Sequence, residues 1–336
     1  MTDPLATGPT SNWPRGAPDP VSIPGAIAGD PVRATTWNDY IGQPKLKKRL
    51  DVHIRAALAE NRPLEHVLLT GPPGMGKTTI ANIIAARLGD PFHVLSMPMK
   101  PAALASFFME IEEEGGVVFM DEVHRASKSH QEDLLTLLED GYLSNSSGRR
   151  IEAPWLTVIG ATTEPENVLP PLYSRFPIVP RVEEYTLDEM ERIITGMAAK
   201  LKVDLEEEAG ALARAAGGVP RAARQLVLAA RALAITTQQD NGVAPTAAGV
   251  LAFCEIDPSG LTQNHLLYID CLRKLGGKAG LAVIATMMRL HESVVRELER
   301  LLIGRELLTY GEKGRELTTK GRAYGNPPAS PSARRR

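Results

Sequence analysis

The chain has 336 residues, of which 43% are hydrophobic. At roughly 100–200 residues per domain, this composition supports two or three domains with apolar cores and excludes disorder, collagen and coiled coil for the whole chain. The charge is nearly balanced, with 38 Lys and Arg against 40 Asp and Glu, so the total gives no reason to expect a nucleic-acid partner.

Cysteine usage and hydropathy limit the setting in which the chain works. Cys254 and Cys271 are the only cysteines, so the sequence has neither a disulfide framework nor a Cys-rich zinc site. The most apolar stretch, Gly280 to Met288, is less than half the roughly 20 residues of a membrane-spanning helix, and the N-terminus lacks a secretory signal pattern. We therefore expect a soluble, cytoplasmic protein without a membrane partner.

Composition divides the chain into two tails and three ordered regions. Residues 1–31 contain seven prolines without helical or strand periodicity, and residues 326–336 are similar but end in three arginines, so both segments are predicted to be disordered. Between them we predict an α/β domain over 32–180, a small helical domain over 181–258 and a third domain over 259–325.

The first ordered region alternates short apolar runs with longer amphipathic ones. Three of the runs are nearly continuous, as in strands buried on both faces of a parallel sheet: His66 to Thr70, Val117 to Met120 and Leu156 to Ala161. The second region has helix formers instead, with helices predicted over Leu187 to Lys200, Glu206 to Ala216 and Arg221 to Ala234. Gly217 to Pro220 is expected to end one of these helices and start the next.

The third region predicts a winged helix, because three helices are followed by a hairpin. The helices lie around His265 to Leu275, Leu281 to Met288 and Ser293 to Ile303, and the hairpin joins Glu306 to Tyr310 with Arg315 to Thr319. The third helix is expected to bury Leu290, Val294, Leu298, Leu301 and Leu302 and to expose Arg296, Glu299 and Arg300.

A phosphate-binding loop is predicted between the first strand and the next helix. The segment Gly71 to Thr78 matches the pattern G-x-x-x-x-G-K-[ST] in the required strand, loop and helix context. Gly71, Gly74 and Gly76 would let backbone N–H groups converge on phosphate oxygens, together with the helix start that includes Thr79. Lys77 would neutralise the β- and γ-phosphates, and Thr78 would hold Mg²⁺.

Polar residues follow the other two predicted strands. Asp121 and Glu122 end the second strand at the sheet edge where ligands bind, so Asp121 would enter the magnesium sphere and Glu122 would polarise an attacking water. Thr162 and Thr163 end the third strand, where a hydroxyl can contact the γ-phosphate or the water. Arg175 follows twelve residues after Thr163 and offers a charge-assisted clamp, although on spacing alone such a residue is more often a surface arginine.

Six motifs occur in a fixed order: Asp39 to Gln43, His66 to Thr79, Asp121 to Arg125, Gly160 to Thr163, Ser174 to Phe176 and Val219 to Arg221. Together they resemble the RuvB family of AAA+ ATPases, which drive branch migration of Holliday junctions. The likeness runs from about Val32 to Tyr324. It implies that the three ordered regions are a large AAA+ domain, a helical lid and a DNA-binding winged helix.

The resemblance also implies roles for individual residues and partners. ATP would be lined by Val32, Arg33, Tyr185 and Arg221 with Gly74, Lys77, Thr78 and Thr79, and Arg221 would be a second sensor on the lid. Arg175 would be an arginine finger that reaches the nucleotide of a neighbouring subunit in a ring, expected to be a hexamer. A junction-binding partner like RuvA is implied as well.

The sequence departs from the family pattern at four places. Ala34 replaces a proline after Arg33, and Arg175 is the one arginine kept where the family has two. The segment from Glu139 to Val158 is shorter than in typical members, and there the family has the hairpin that grips RuvA. Tyr310 replaces an arginine in the wing. These departures concern the partner and the wing contacts.

The charge is unevenly distributed along the chain. Residues 260–336 hold 14 Lys and Arg against 7 Asp and Glu, whereas residues 1–259 hold 24 against 33. Four of the basic residues belong to the wing region and are the predicted DNA contacts: Lys313, Arg315, Lys320 and Arg322. Backbone contact is expected rather than base reading.

Three other functions share parts of this pattern. Asp121 to His124 also matches the D-E-x-H box of two-lobed helicases, but no second lobe follows, and His124 is then a structural or coupling residue. A clamp-loader or helicase-loader ATPase would share the phosphate-binding loop, the motif Ser174 to Phe176 and the helical lid. The third alternative is a nucleotide-binding scaffold without turnover, and the presence of Lys77, Asp121, Glu122 and Arg175 together argues against it. The sequence favours an ATP-hydrolysing motor on branched DNA.

Overall fold

The structure is a computed structural model that describes residues 30–98, 101–111, 115–144, 150–152, 155–239, 245–311 and 314–325. The two predicted disordered tails, except for Asp30 and Pro31, lie outside these residues, as does Lys313. The chain divides into two compact units, Met1–Tyr185 and Thr186–Arg336. None of the helices within the described ranges combines the length and apolar character needed to cross a bilayer.

A parallel sheet organises the first unit. The described strands of this unit are β1 (Val67–Thr70), β2 (Phe92–Ser96), β3 (Gly116–Asp121), β4 (Tyr142–Ser144), β5 (Arg150–Glu152) and β6 (Leu156–Thr162). Four of them pair in the order β1-β6-β3-β2, all parallel. The three predicted strands are confirmed as β1, β3 and β6. β2 was not predicted, because polar residues interrupt its apolar ones and only Phe92 and Leu95 are buried, so it has no continuous apolar run.

The order of the strands determines which loops become neighbours. β6 lies between β1 and β3, so the residues that follow these three strands meet at one edge of the sheet. On the other side of β1, bridges from Val67 to Ile178 and from Thr70 to Arg181 extend the pairing in parallel. The phosphate-loop strand is therefore hydrogen-bonded on both sides.

Helices cover this sheet because their apolar residues are spaced to bury one face. The described helices of the first unit are α1 (Pro44–Ala59), α2 (Lys77–Leu88), α3 (Pro101–Glu110), α4 (Lys128–Asp140) and α5 (Pro170–Ser174). In α2, the side chains of Ile80, Ile83 and Ile84 are completely buried. Each such side chain contributes about 1.5–3 kcal/mol to folding relative to an exposed one.

The shortened segment after α4 retains a small hairpin. β4 and β5 pair antiparallel, with Leu143 opposite Ile151, and both of these side chains are buried. On this hairpin, the Arg150 guanidinium lies 3.7 Å from the centre of the Tyr142 ring. The residues between the two strands lie outside the described ranges.

The second unit begins with a group of helices. These are α6 (Leu187–Leu201), α7 (Ala209–Ala216), α8 (Pro220–Gln239) and α9 (Ala247–Phe253). The first three confirm the three predicted helices. Thr186 and Glu189 form a capping box at the start of α6. As predicted, Gly217 ends α7 in a left-handed conformation and Pro220 starts α8.

The predicted winged helix is confirmed in the same unit. Its elements are α10 (Gln263–Lys274), β7 (Lys278–Ala279), α11 (Leu281–Met288), α12 (Glu292–Gly304), β8 (Leu308–Gly311), β9 (Gly314–Leu317) and α13 (Thr319–Ala323). The strands form a small antiparallel sheet in the order β7-β9-β8. Side chains from all three larger helices and both hairpin strands form one core.

The prediction for α12 was correct in part: Leu302 is buried, Leu298 and Leu301 pack partly buried against the same core, and Arg296 is exposed, but Val294 and Glu299 differ. The buried positions on this helix are Val295, Glu299 and Leu302, whereas Val294 is 38% exposed. Glu299 was expected on the polar face but is only 1% exposed. The error has a physical cause: a hydrophobic pattern cannot indicate that a carboxylate is buried when its partners come from elsewhere in the fold.

Candidate nucleotide site and winged-helix surface

The predicted phosphate loop joins the end of β1 to the start of α2. Gly71, Gly74 and Gly76 have φ angles of 137°, 79° and 90°, which favour glycine. Space is also limited, because a Cβ on Gly71 would lie 2.6 Å from the Val182 carbonyl oxygen. A Cβ on Gly76 would lie 3.1 Å from the Tyr40 hydroxyl oxygen. The loop backbone is thus held closely on two sides.

Lys77 is the first residue of α2 and is 6% exposed. Its Nζ donates hydrogen bonds to the carbonyl oxygens of Gly71 at 2.9 Å and Pro72 at 3.0 Å. The side chain therefore folds back over the loop, where carbonyl oxygens compensate a buried ammonium. Thr78 and Thr79 follow in the first helical turn, whose N–H groups have no partner within the helix and favour an anion.

The acid pair lies two strands away at the same edge of the sheet. Asp121 ends β3 and accepts a hydrogen bond from the Glu122 backbone N–H at 3.1 Å. Glu122 has a left-handed backbone with φ of 50°. Its Oε2 accepts from the Thr163 N–H at 3.2 Å and from the Thr163 hydroxyl at 3.0 Å. The structure thus joins the predicted water-polarising carboxylate to a predicted sensor threonine.

Thr162 is completely buried and belongs to the same network. Its hydroxyl oxygen accepts from the Glu164 N–H at 3.0 Å and lies 2.9 Å from Nδ1 of His124. The same Nδ1 lies 3.2 Å from Glu122 Oε2. His124 therefore contacts both the carboxylate and the buried threonine, a contact that the sequence indicated only through the D-E-x-H spacing.

Tyr185 reaches the phosphate loop through its hydroxyl group. The Tyr185 hydroxyl oxygen lies 3.2 Å from the Met75 carbonyl oxygen and 2.7 Å from the Tyr40 hydroxyl oxygen. Burial, and then the neighbouring Tyr185, raise the pKa of Tyr40 well above its usual value. Tyr40 belongs to the motif Asp39 to Gln43, but the sequence predicted no role for it, because its partner Tyr185 is 145 residues away.

Val32 and Arg33 lie at the start of the described chain. Val32 is buried, and its N–H donates to Asp30 Oδ1 at 3.4 Å. Arg33 Nε lies 3.9 Å from Asp30 Oδ2. These contacts hold both residues in the first unit, and their predicted contact with the nucleotide stays a prediction.

The two predicted clamp arginines have other surroundings. Arg175 directly follows α5, its side chain is 41% exposed, and its Nη2 lies 2.6 Å from Oε1 of Glu139. Arg221 is the second residue of α8 in the second unit and is exposed. Arg175 is paired with Glu139 and is not among the contacts described above for Lys77 and Glu122. Both functional roles stay predictions.

The residues of the first unit fit a nucleoside triphosphate with Mg²⁺. The loop offers backbone donors and a lysine, while Thr78 and Asp121 offer oxygen ligands. Among the described residues, no group of three or more His, Cys, Asp or Glu side chains could hold a metal ion. Mg²⁺ does not need such a group when phosphate oxygens and water complete its coordination.

In the winged helix, the buried Glu299 gathers three residues from α10, β8 and β9. Its Oε1 accepts from the Tyr268 hydroxyl at 3.0 Å and from Arg315 Nε at 2.8 Å. Its Oε2 accepts from the Tyr310 hydroxyl at 2.8 Å and from Arg315 Nη2 at 3.2 Å. We call Glu299, Tyr268, Tyr310 and Arg315 the Glu299 cluster. It connects the hairpin to the helices behind it.

The Glu299 cluster changes the interpretation of Arg315. The sequence predicted a DNA contact, but the guanidinium already makes a bidentate bond to a buried carboxylate. That bond raises the pKa of Arg315 above its usual value. Burial, and then Glu299, raise the pKa of Tyr268 and Tyr310. Arg315 therefore has an internal structural role that requires no DNA.

The other two described wing cations remain available at the surface. Lys320 Nζ lies 3.4 Å from Glu306 Oε2, and Arg322 Nη2 lies 3.7 Å from Glu316 Oε1. Both basic side chains are about half exposed or more, at 58% and 49%. Exposed pairs of this kind contribute roughly 0–1 kcal/mol, so they exchange partners at little cost. Their contact with DNA stays a prediction.

The phosphate loop, the acid pair and the threonine strand between them define a P-loop nucleoside triphosphatase of the AAA+ class, here with a winged helix in the same chain. The model of the Holliday junction DNA helicase RuvB P-loop domain matches residues 32–182, and that of the RuvB C-terminal winged helix domain matches residues 258–325. The chain belongs to the RuvB family.

Similar proteins match most of the chain. The Holliday junction branch migration complex subunit RuvB of Kosmotoga olearia is 34% identical over 302 residues, covering 86% of this chain and 88% of the relative. The same subunit of Pseudothermotoga lettingae is 32% identical over 306 residues, covering 87% and 88%. Among solved structures, the Thermotoga maritima RuvB Holliday junction branch migration motor is 30% identical with a TM-score of 0.76, covering 87% of this chain and 97% of that chain.

Proposed function

We propose that this protein is an ATP-driven motor that catalyses branch migration of Holliday junctions. The observation that carries the proposal is the presence, in one chain, of an AAA+ site and a winged helix that both match RuvB family models. Two similar proteins are named as subunits of the Holliday junction branch migration complex. We extend that activity to this chain.

ATP would bind at the phosphate loop. Gly71, Gly74 and Gly76 would present their N–H groups to phosphate oxygens, and the start of α2 would add those of Thr78 and Thr79. Lys77 would exchange its two carbonyl acceptors for β- and γ-phosphate oxygens. Because the ammonium is buried, this exchange would be strongly favoured once a phosphate is present. Val32, Arg33 and Tyr185 would line the rest of the nucleotide.

Glu122 would orient and polarise the attacking water. One oxygen of its carboxylate is held by Thr163, and His124 Nδ1 lies beside the same oxygen, which fixes the direction of the group. The other oxygen, Oε1, is then the one to accept a hydrogen bond from water. When bound at Thr78 and Asp121, Mg²⁺ would neutralise phosphate charge and hold the phosphate oxygens in place.

Arg175 would supply positive charge to a neighbouring subunit of a ring, which we expect to be hexameric. Its exposure and its exchangeable contact with Glu139 support this role. An arginine finger accelerates nucleotide hydrolysis by roughly 10³–10⁵-fold in enzymes that use one. Arg221 would sense the nucleotide from α8, so that hydrolysis changes the position of the lid.

The basic end of the chain would bind DNA backbone. Residues 260–336 carry a net charge of +7 from 14 basic and 7 acidic residues, whereas the preceding part is acidic. Lys313, Lys320 and Arg322 are the proposed contacts, and Arg315 would support them from behind through Glu299. Each phosphate contact should appear in the salt dependence of DNA affinity.

A RuvA-like protein is the proposed partner, and the β4–β5 hairpin is the proposed docking element. The hairpin is short, but its base is firmly packed by the buried pair Leu143 and Ile151. We therefore expect docking through the exposed side chains of these two strands.

The test is ATP-dependent dissociation of a synthetic four-way junction, compared with a linear duplex and a fork, with and without a RuvA-type protein. Branch migration predicts activity on the four-way junction and a requirement for Glu122, so Glu122→Gln serves as the control. Activity on the fork alone would instead indicate a helicase or a loading ATPase and would refute the proposal.

A further inference from the structure

Tyr40 contacts the phosphate loop at two points. Its hydroxyl lies 3.3 Å from the Met75 carbonyl oxygen, and a Cβ on Gly76 would lie 3.1 Å from the same hydroxyl oxygen. Tyr185 reaches the same carbonyl oxygen at 3.2 Å, and the two hydroxyl oxygens are 2.7 Å apart. Both tyrosines are more than nine-tenths buried, at 5% and 8% exposure.

Counting protons shows that the two hydroxyls act as a redundant pair. Three short contacts join two hydroxyl oxygens and one carbonyl oxygen, but only two protons are available to them. One proton must lie between the hydroxyls, because two oxygens 2.7 Å apart without a proton repel each other. The other proton goes to the Met75 carbonyl oxygen, from Tyr40 or from Tyr185. Either hydroxyl can therefore hold the loop when the other is removed.

Tyr185 ends a segment that is fastened along its length beside the phosphate loop. This connecting segment, residues 178–185, leads directly to Thr186, the first residue of the second unit. The Val182 N–H donates to the Thr70 carbonyl at 2.8 Å. The Gln43 amide pairs with the Glu183 backbone in both directions, at 2.7 and 3.0 Å. Tyr185, which carries one of the two hydroxyls, is the last residue of the first unit.

We propose that the Tyr40 and Tyr185 hydroxyls form a clamp on the Met75 carbonyl that fixes the phosphate loop and carries its changes to the connecting segment. This inference rests on the proposed nucleotide site. Tyr40 is a positioning residue in it, because it acts through Met75 and Tyr185. A phosphate at the loop would reorient the Met75 peptide, and the paired hydroxyls would transmit that change to Tyr185.

The test compares Tyr40→Phe, Tyr185→Phe and the double variant in the full-length chain. Affinity for ADP and for a non-hydrolysable ATP analogue is measured by titration calorimetry. Hydrogen exchange of peptides covering residues 178–185 is measured with and without ADP. Tyr268→Phe is the matched control, because it removes a buried, hydrogen-bonded hydroxyl from the second unit.

Redundancy predicts a non-additive result. Each single variant should weaken nucleotide affinity by no more than about threefold, because the remaining hydroxyl still donates to Met75. The double variant leaves a buried carbonyl unpaired at the loop and should weaken affinity by roughly tenfold or more, beyond the product of the single effects. ADP should slow exchange in the connecting segment of the wild type and of Tyr268→Phe, but not of the double variant.

Two results would overturn the clamp while leaving the nucleotide site intact. One is a double variant whose affinity is the product of the single effects or equals that of the wild type. The other is a normal exchange response to ADP in the double variant. If the wild type binds no nucleotide at all, the proposed function itself is refuted, so the two failures are distinguishable.

Discussion

Removing Arg315 should destabilise the winged helix, because it leaves the Glu299 carboxylate buried without its cation. Glu299 is 1% exposed, whereas the Arg315 side chain is 17% exposed. Breaking a buried ion pair by deleting one partner costs about 3–5 kcal/mol. Two features reduce this cost here: Tyr268 and Tyr310 still donate to the carboxylate, and the cluster lies near the surface. We expect Arg315→Ala to lower the free energy of unfolding by about 2–4 kcal/mol at pH 7.

A second substitution tests whether the unpaired charge causes the loss. Adding Glu299→Gln should restore most of the stability at pH 7, because the amide carries no charge.

The assay is denaturant unfolding of the full-length chain at pH 7. Arg322→Ala is the control, because it removes an exposed arginine whose pairing with Glu316 contributes roughly 0–1 kcal/mol. If Arg315→Ala unfolded like Arg322→Ala while DNA affinity and its salt slope fell, Arg315 would be a direct phosphate contact and the structural reasoning would be refuted.

Three further predictions concern the nucleotide site and pH. Lys77→Ala should abolish nucleotide binding, and Glu122→Gln should bind ATP without turnover; calorimetry with phosphate release checks both, and turnover by Glu122→Gln would assign the water to another residue. Arg175→Ala should bind ATP but hydrolyse it at least about 10³-fold more slowly, and mixing it with Glu122→Gln subunits should restore some hydrolysis; no recovery in mixtures would contradict a finger that acts between subunits. Burial lowers the pKa of His265 to about 4 from 6.5. As the pH falls, the unfolded chain therefore takes up a proton before the folded chain does. The stability present above about pH 6.5 is lost progressively down to about pH 4. Between pH 8 and 5 this amounts to about 2 kcal/mol, and His265→Asn, which keeps an acceptor for the Thr262 N–H, should flatten the dependence; an unchanged pH profile in that variant would show that another group titrates.

Much of the candidate site could be predicted because it is encoded in continuous stretches. The phosphate loop combines glycines, a lysine and a following threonine within eight residues, and the acid pair directly ends an apolar strand. Such patterns require only that the local strand and helix form. The winged helix could be predicted for the same reason, since three amphipathic runs and a turn are local signals.

Contacts between distant segments could not be predicted in this way. The Glu122 carboxylate meets Thr163 only because β6 lies beside β3 in the sheet. Tyr310, which departs from the family pattern, donates a hydrogen bond from its hydroxyl to Glu299, and only the fold brings these two residues together. In both cases the role of a polar group depends on a hydrogen-bond partner that sequence spacing does not reveal.

The sequence by itself determined the kinds of element, their order and the chemistry of the phosphate loop, because hydrophobic period and backbone requirements act over a few residues. The tertiary structure alone decided which polar groups are buried and what satisfies them. A carboxylate such as Glu299 can leave water only when donors from α10, β8 and β9 surround it, and the pairing of Tyr40 with Tyr185 needs segments 145 residues apart.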